Sequence, residues 1–279
     1  MTQRQKINSI ICKVLIAIAT IFTFALLIGI IFYVAGKGIP HIKAELFAWN
    51  FTSKNQSMLP SIINTLEMIF LTLLFSVPIG VFSAIYMVEY AKPGNKFIKY
   101  VRLATETLQG IPSIVFGLFG YIFFNDLLGL NYSILAGALT MSIMVLPLII
   151  RSTEEALISV DNKYREASYG LGARKLRTVF NVVLPPAMNG IFSGIILAIG
   201  RVFGETAALI YTAGTMQVLA GPKDSGATLA IHLFKQNSEA RYPNETFVTA
   251  FVLLIVVVLI NTLSTVIGNK IGGKTDGRS

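Results

Sequence analysis

Two charged residues inside an apolar run are the first chemistry this chain offers. Arg201 and Glu205 fall within an apolar stretch running from about 187 to 214. A central Arg or Asp costs about 2.5–3.5 kcal/mol on membrane-insertion scales, so such residues seldom occur there without a role. Spaced four apart, they share one helical face with Gly190, Gly194, Ala198, Ala208 and Thr212, while Ile191, Ile195, Ile199, Val202 and Ile210 make the other side lipid-like. A guanidinium carries a planar fork of donors that matches two oxygens of an oxyanion. On a helix starting near Pro186, Arg201 lies roughly 22 Å along, in the outer half of a bilayer. There it can line a pathway and attract an anion, with Glu205 tempering the charge so that the anion is not trapped. The competing reading is a buried Arg201–Glu205 ion pair that glues helices together. Glu67 also lies inside a run, near its outer end, and the same two roles compete for it. Its neighbours Asn64, Thr65, Thr72 and Ser76 suit hydrogen bonds between helices.

Other constellations carry less. Gly268 to Thr275 satisfies the phosphate-loop pattern G-x-x-x-x-G-K-[ST]. That chemistry needs a strand before the loop and a helix after it. Here an apolar span precedes the pattern and four residues follow it, so the match is assigned to a basic tail and no ATPase site is expected on the chain. His41 and His232 lie far apart without ligand-spaced partners, so no metal site or cofactor is expected, and no Ser/His/Asp set is placed for catalysis. Three N-glycosylation sequons, at Asn50, Asn131 and Asn244, receive no weight.

The elements that position these residues follow from composition. The 279 residues are 54% hydrophobic and only 13% charged, against about 25% charged in soluble domains, and the mean hydropathy is +0.68. Spanning a bilayer takes roughly 20 apolar residues, and six runs qualify, near 11–35, 61–89, 107–125, 132–151, 187–214 and 247–268. The first follows Arg4 and Lys6 but is longer than a signal-peptide core, so it is read as a retained anchor. Cys12 is the one cysteine and permits no intrachain disulfide. Pro78 and Gly80 predict a tilt or kink in the second run, and Gly110-Ile111-Pro112-Ser113 predicts a break near one membrane face.

Charge then orients the runs. The net charge is +9, with 23 Lys and Arg. Sixteen of these lie in the N-terminus, loop 90–106, segment 151–186 and the tail, six lie in the alternate loops, and Arg201 is inside a span. The positive-inside rule places the set of sixteen in the cytoplasm, with both termini. Basic residues confined to short loops beside spans argue for lipid contact and against nucleic acid as a partner. Trp49, Phe51 and Tyr242 on the outer segments 36–60 and 215–246 suit an interfacial belt.

The segment from Ser159 to Pro186 is too polar to span and too long for a turn. Asp161 can cap a helix, Gly172 can end one, and Arg174 to Val183 is amphipathic, with Leu176, Val179, Phe180 and Val183 on one face. Leu184-Pro185-Pro186 is expected to stop that second helix at the membrane surface. Two short helices at an angle suit recognition in a groove of a soluble partner; an amphipathic loop lying on anionic lipid is the alternative.

At this loop the chain resembles a known family. Glu166-Ala167-Ser168, Gly172, and Val182-Val183-Leu184-Pro185 match in spacing the Glu-Ala-Ala…Gly…Ile-x-Leu-Pro coupling motif of ABC importer permeases, with Ser168 replacing Ala and Val182 replacing Ile. Thr65-Leu66-Glu67, Pro78-Ile79-Gly80, Glu89-Tyr90, Gly110 to Gly117, Leu146-Pro147, Arg151 to Ala156 and Gly200 to Ala207 resemble the A-type permease of the phosphate-specific importer over roughly residues 60–215. The resemblance implies an all-α membrane protein of six transmembrane helices with the type I ABC importer permease fold. It forms one transmembrane domain: an anchor and outside loop over 1–60, a permease core over 61–268 with its coupling loop at 152–186, and a tail over 269–279. It implies a bacterial-type inner-membrane location and transport by alternating access. It also implies a second, C-type permease as heterodimer partner, an ABC ATPase dimer on the cytoplasmic side and an extracytoplasmic phosphate-binding protein. Glu166, Ala167, Gly172, Leu184 and Pro185 are the expected coupling-loop residues; Arg201, Glu205 and Glu67 are the candidate substrate pathway. An intramembrane Arg fits sulfate or molybdate equally well, and a proton-coupled secondary carrier is the more distant alternative.

Overall fold

Backbone groups inside a bilayer must be satisfied within the chain, which favours helices. In the computed structural model, which describes residues 3–92 and 94–272, all regular structure is helical. Helix α1 spans Gln3–Gly38 and α2 Leu59–Ile85, prolonged by a π-type turn over Tyr86–Tyr90. Helix α3 (Lys96–Gln109) is followed by α4 (Ser113–Gly120), which continues as a π-type turn to Leu127. Next come α5 (Ile134–Ile158), the short α6 (Asn162–Gly170) and α7 (Lys175–Thr178), and α8 (Leu184–Phe203), joined to α7 through a π-type turn over Val179–Val183. Helices α9 (Ala207–Thr212), α10 (Leu229–Glu239) and α11 (Pro243–Gly272) complete the chain.

Ser9–His41, Leu59–Tyr90, Ile134–Ile158, Lys175–Phe203 and Pro243–Val266 are each long and apolar enough to cross a membrane. A sixth apolar stretch is a bent pair, α3 with Ser113–Leu127, turned by 104° at the break between them. The expected span over 107–125 is thus divided at its expected break: residues up to Gln109 end α3, and helix resumes at Ser113. Pro112 is extended (φ −59°, ψ 141°) and supplies no amide hydrogen, so the helix must end before it. Pro78 does not interrupt α2, and 32 residues from Leu59 to Tyr90 rise about 48 Å, longer than the roughly 30 Å hydrocarbon layer and hence tilted if they span it.

Helices α2, α5 and α8 form the central layer, with α4 and α9 beside them. Met68, Met141, Ile149, Val202, Phe203 and Leu209 pack in this core. Close approach of α4 and α9 depends on Gly117: a Cβ there would lie 2.7 Å from Cα of Ala208. Helix α1 is exposed over most of its length and docks chiefly on α11. The Tyr33 ring meets the Phe247 ring edge-on at 5.8 Å, while Gly268, at the far end of α11, lies against Phe192 in the first half of α8. So the end of α1 meets the start of α11, and the far end of α11 lies near the start of α8, at the pole that carries loops 90–106 and 152–186, called here the basic pole.

Two further expectations fail. Pro185 and Pro186 do not stop the second loop helix, because Lys175 to Phe203 is continuous. The wider π-type turn just before the prolines makes room for rings that cannot donate to the preceding carbonyls. Nor is the run 187–214 one helix. It ends at Phe203, and Gly204, Glu205 and Thr206 separate α8 from α9. The isoleucine side is not lipid-facing either: Ile191, Ile199 and Val202 are buried in the core, while Ser193 and Leu197 are exposed.

Candidate functional site

The loop at the basic pole is built as two short helices set at a glycine corner. Asp161 caps α6, its side chain accepting from the Lys163 amide at 2.9 Å. Gly172 closes the corner with φ +81°, a left-handed conformation that costs other L-residues roughly 1–2 kcal/mol. Ser168 Oγ and Thr178 Oγ1 lie 2.8 Å apart and link the two helices, so the serine that replaces alanine in the motif acts as a strut. Of the expected apolar face, Val179 and Val183 are buried, whereas Leu176 and Phe180 are exposed. Leu171 at the corner is 90% exposed, with Tyr164 and Tyr169 beside it. Tyr164, Ala167, Leu171, Arg177 and Val182 line an adjoining cavity of about 460 Å³. Glu166 and Ala167 are exposed, and Leu184 and Pro185 half-buried where α8 begins. The exposed Leu171 thus forms a projecting apolar knob beside that cavity.

What holds this loop in place was not legible beforehand. Arg165 bridges the loop to the rest of the fold. Its Nη2 and Nε donate to Oε1 of Glu89 at 2.7 and 3.1 Å. Nη2 also donates to the Leu157 carbonyl at 2.9 Å, and Nη1 to the Val160 carbonyl at 2.7 Å and to Asn162 Oδ1 at 3.2 Å. Both charges are largely withdrawn from solvent, at 13% and 4% side-chain exposure. The guanidinium thus serves orphan carbonyls at the end of α5 and ties α6 to the turn that ends α2.

The intramembrane residues behave differently from expectation. Glu205 lies in the break after α8, buried, and its Oε1 accepts from the Ala208 amide at 3.0 Å, capping α9. Glu205 and Arg201 are therefore not on one helical face and do not pair. Arg201 is half-buried and has no carboxylate within 4.0 Å among the described residues. Glu67 is half-buried on α2, and no hydrogen bond or ion pair joins it to Arg201 or Glu205 among the described residues. Of the expected glue, the Thr72 hydroxyl reaches across to the Ala138 carbonyl of α5 only at 3.5 Å, and Ser76 donates instead to the Thr72 carbonyl of its own helix at 2.7 Å. It is Ser142 Oγ of α5 that links the two helices, donating to the Thr72 carbonyl at 3.1 Å. Asn64 and Thr65 instead fasten the segment before α10. Asn64 donates to the Val218 and Ala227 carbonyls at 2.8 and 3.2 Å and accepts from the Ala220 amide at 3.1 Å, and Thr65 accepts from the Leu229 amide at 2.8 Å.

At that opposite pole His232 is fully buried. Gln217 Nε2 lies 2.9 Å from its Nδ1 and donates to it in the tautomer protonated on Nε2. The Phe51 ring meets the imidazole edge-on at 6.0 Å, so Phe51 belongs to this packing; Trp49 remains exposed. Burial, and secondarily the charge of Lys235, lowers the imidazole from its usual 6.5 to about 4. No group of three or more His, Cys, Asp or Glu able to hold a metal ion occurs among the described residues. Of the phosphate-loop pattern, Gly268 to Gly272 are helical where that chemistry needs a loop, and α11 precedes them where it needs a strand; Gly273, Lys274 and Thr275 lie outside the described residues.

Comparisons agree with this geometry. Residues 76–274 match the family model described as binding-protein-dependent transport system inner membrane component. The chain is similar to the probable ABC transporter permease protein YqgI of Bacillus subtilis, 34% identical over 244 residues covering 79% of this chain and 80% of that protein. It is similar to the phosphate transport system permease protein PstA of Pasteurella multocida, 31% identical over 262 residues covering 90% and 92%. Among solved structures, a chain of a bacterial ABC transporter involved in import of the polysaccharide alginate superposes with a TM-score of 0.65 at 17% identity, covering 95% and 98%. A chain of the MetNI methionine ABC transporter superposes at 0.58 and 20%, covering 77% and 94%.

Proposed function

Since the chain belongs to the family of binding-protein-dependent transport system inner membrane components, we propose that it forms half of the membrane channel of an ATP-driven importer of inorganic phosphate. The observation that carries the substrate is its likeness, over 92% of the relative's length, to a protein named as a phosphate transport permease. The basic pole faces the cytoplasm, so the Leu171 knob and the exposed Glu166 and Ala167 meet an ABC ATPase there. A second permease subunit completes the channel, and a phosphate-binding protein delivers from the other side. Arg201 on α8, with no carboxylate within 4.0 Å among the described residues, offers its donor fork to phosphate. Glu205 acts through structure, by holding the α8–α9 break open beside it. Glu67 contributes charge to the pathway from α2.

The test is uptake by the reconstituted importer. Radiolabelled phosphate should accumulate with ATP, and excess sulfate or molybdate should not compete. Arg201→Ala should abolish uptake while the complex still assembles, and Arg201→Lys should retain part of it. Lost assembly would make Arg201 packing, and sulfate competing as well as phosphate would overturn the substrate. For orientation, a Cys12→Ser background with a cysteine at Lys223 or Lys163 is treated with an impermeant maleimide on intact cells. Labelling at 223 and not at 163 is expected; the reverse pattern would invert the protein.

A further inference from the structure

Helix α3 does not follow the path of a spanning helix. It is turned 104° from Ser113–Leu127, so where α4 crosses the bilayer, α3 runs along its surface. Its residues sort onto two faces, one carrying Ile98, Arg102 and Glu106 toward the protein and one carrying Phe97, Tyr100 and Leu103 outward. Ile98 is buried with Ala84, Met87 and Ile150. Arg102 is ion-paired with Glu154 at 2.5 Å, and Glu106 lies 3.9 Å from Arg151, fixing the helix to α5. Phe97, Tyr100 and Leu103 are 64%, 68% and 58% exposed.

On the protein-facing flank of α3, with Lys99 between it and the exposed apolar face, lies a cavity of about 460 Å³ bounded by the end of α2, the start of α3 and the end of α5. Its floor includes Met87, Ala91 and Ile98, and its rim carries Lys92, Lys99 and Arg102. Arg102 is already neutralised by Glu154. Lys92 and Lys99 are exposed and have no carboxylate within 4.0 Å among the described residues.

We propose that this pocket is a binding site for the headgroup of an anionic glycerophospholipid of the leaflet at the basic pole. Lys92 and Lys99 hold the phosphodiester, and the apolar face of α3 lies against the acyl chains. The chemistry argues for a lipid over free phosphate, because a small hydrated anion gains nothing from an apolar floor, nor from the exposed apolar face that the same helix presents on its other side. A surface helix with Phe, Tyr and Leu on one face and lysines beside them is suited to the headgroup–acyl boundary, and basic pockets between membrane helices on the cytoplasmic side take lipid phosphates. The proposal rests on the orientation given above only for the choice of leaflet.

Each basic residue near an anionic surface contributes about 1 kcal/mol, a factor of about five. Removing both lysines should therefore weaken retention about 30-fold. The purified importer complex is exchanged into detergent with phosphatidylglycerol or phosphatidylcholine, and retained lipid is counted by native mass spectrometry. In the Lys92→Gln/Lys99→Gln variant, phosphatidylglycerol retention should fall about 30-fold with phosphatidylcholine unchanged. Tyr100→Ser should weaken both lipids. Both lysines are exposed, so complex yield and thermal midpoint should stay at wild-type values. Equal phosphatidylglycerol retention in the double variant would overturn the proposal. So would displacement of the lipid by millimolar inorganic phosphate, which would mark a free-anion site. A third overturning result is a Lys99→Cys thiol that is shielded from maleimide in the lipid-stripped complex, which would mark a protein interface. Retention in detergent does not depend on sidedness, so an inverted orientation would leave this result intact and appear only in the cell-labelling test.

Discussion

Replacing Arg165 with Ala should release the loop at the basic pole from the rest of the fold. The side chain removed is the one that joins α6 to the turn ending α2 and to the end of α5. It leaves Glu89, whose side chain is 4% exposed, without its partner, and the Leu157 and Val160 carbonyls without their donors. Breaking a buried ion pair by removing one member costs about 3–5 kcal/mol. At about 1.4 kcal/mol per factor of ten, that is a rise of about 100-fold to several thousand-fold in the detached population. Amide hydrogen exchange read by mass spectrometry should show protection of 162–170 falling by about that factor, with α5 protection between Ala138 and Val145 unchanged. Glu89→Gln should do less, since an amide oxygen still accepts from the guanidinium. The charge-swapped pair, Glu89→Arg with Arg165→Glu, should rescue only partly, because a carboxylate at 165 cannot donate to two carbonyls. In the assembled importer, uptake and ATPase co-purification should fall with Arg165→Ala. Exchange within threefold of wild type would refute the bridging role. An Arg165→Ala/Glu89→Gln double variant whose loss equals the sum of the single losses would show that the two residues do not interact.

Other outcomes follow from the same structure. Gly172→Val should impair ATPase docking far more than Gly172→Asn. A Cβ at that position meets nothing within 4 Å, so the cost is backbone strain, about 1–2 kcal/mol, which Asn tolerates best; equal effects in a pull-down would reject this. Gly117→Val should lower the thermal midpoint, because its Cβ would meet the Ala208 backbone at 2.7 Å and overpacking costs about 1–3 kcal/mol; an unchanged midpoint would mean α4 and α9 can part freely. For His232, the unfolded chain binds a proton as pH falls through about 6.5, and the folded chain only near 4. The stability from burying the neutral ring is therefore complete above 6.5 and is lost as pH falls toward 4. It should decline by about 2 kcal/mol between pH 7 and 5. His232→Gln should flatten that part of the thermal-unfolding profile, and an identical pH profile in the variant would contradict the assignment.

Local pattern determined a good deal of this protein. Apolar runs longer than a bilayer is thick located the crossings, because length and hydropathy are one-dimensional properties. The break at Gly110-Ile111-Pro112 and the glycine corner at 172 were legible too, since proline's missing amide hydrogen and glycine's free φ are local constraints. The loop motif from Glu166 to Pro185 pointed to the family through spacing alone. Where helical periodicity was extended across a break, the reading failed. Arg201 and Glu205 are four apart in number but lie on either side of the end of α8, so they never share a face. Pro185 and Pro186 looked like a stop, yet the turn before them widened and the helix continued. Only the folded chain could bring Glu89 to Arg165, 76 residues away, or set Asn64 against a segment more than 150 residues on. A single sequence contains the two ends of such a contact, but the packing of α2 against α5 decides whether they meet.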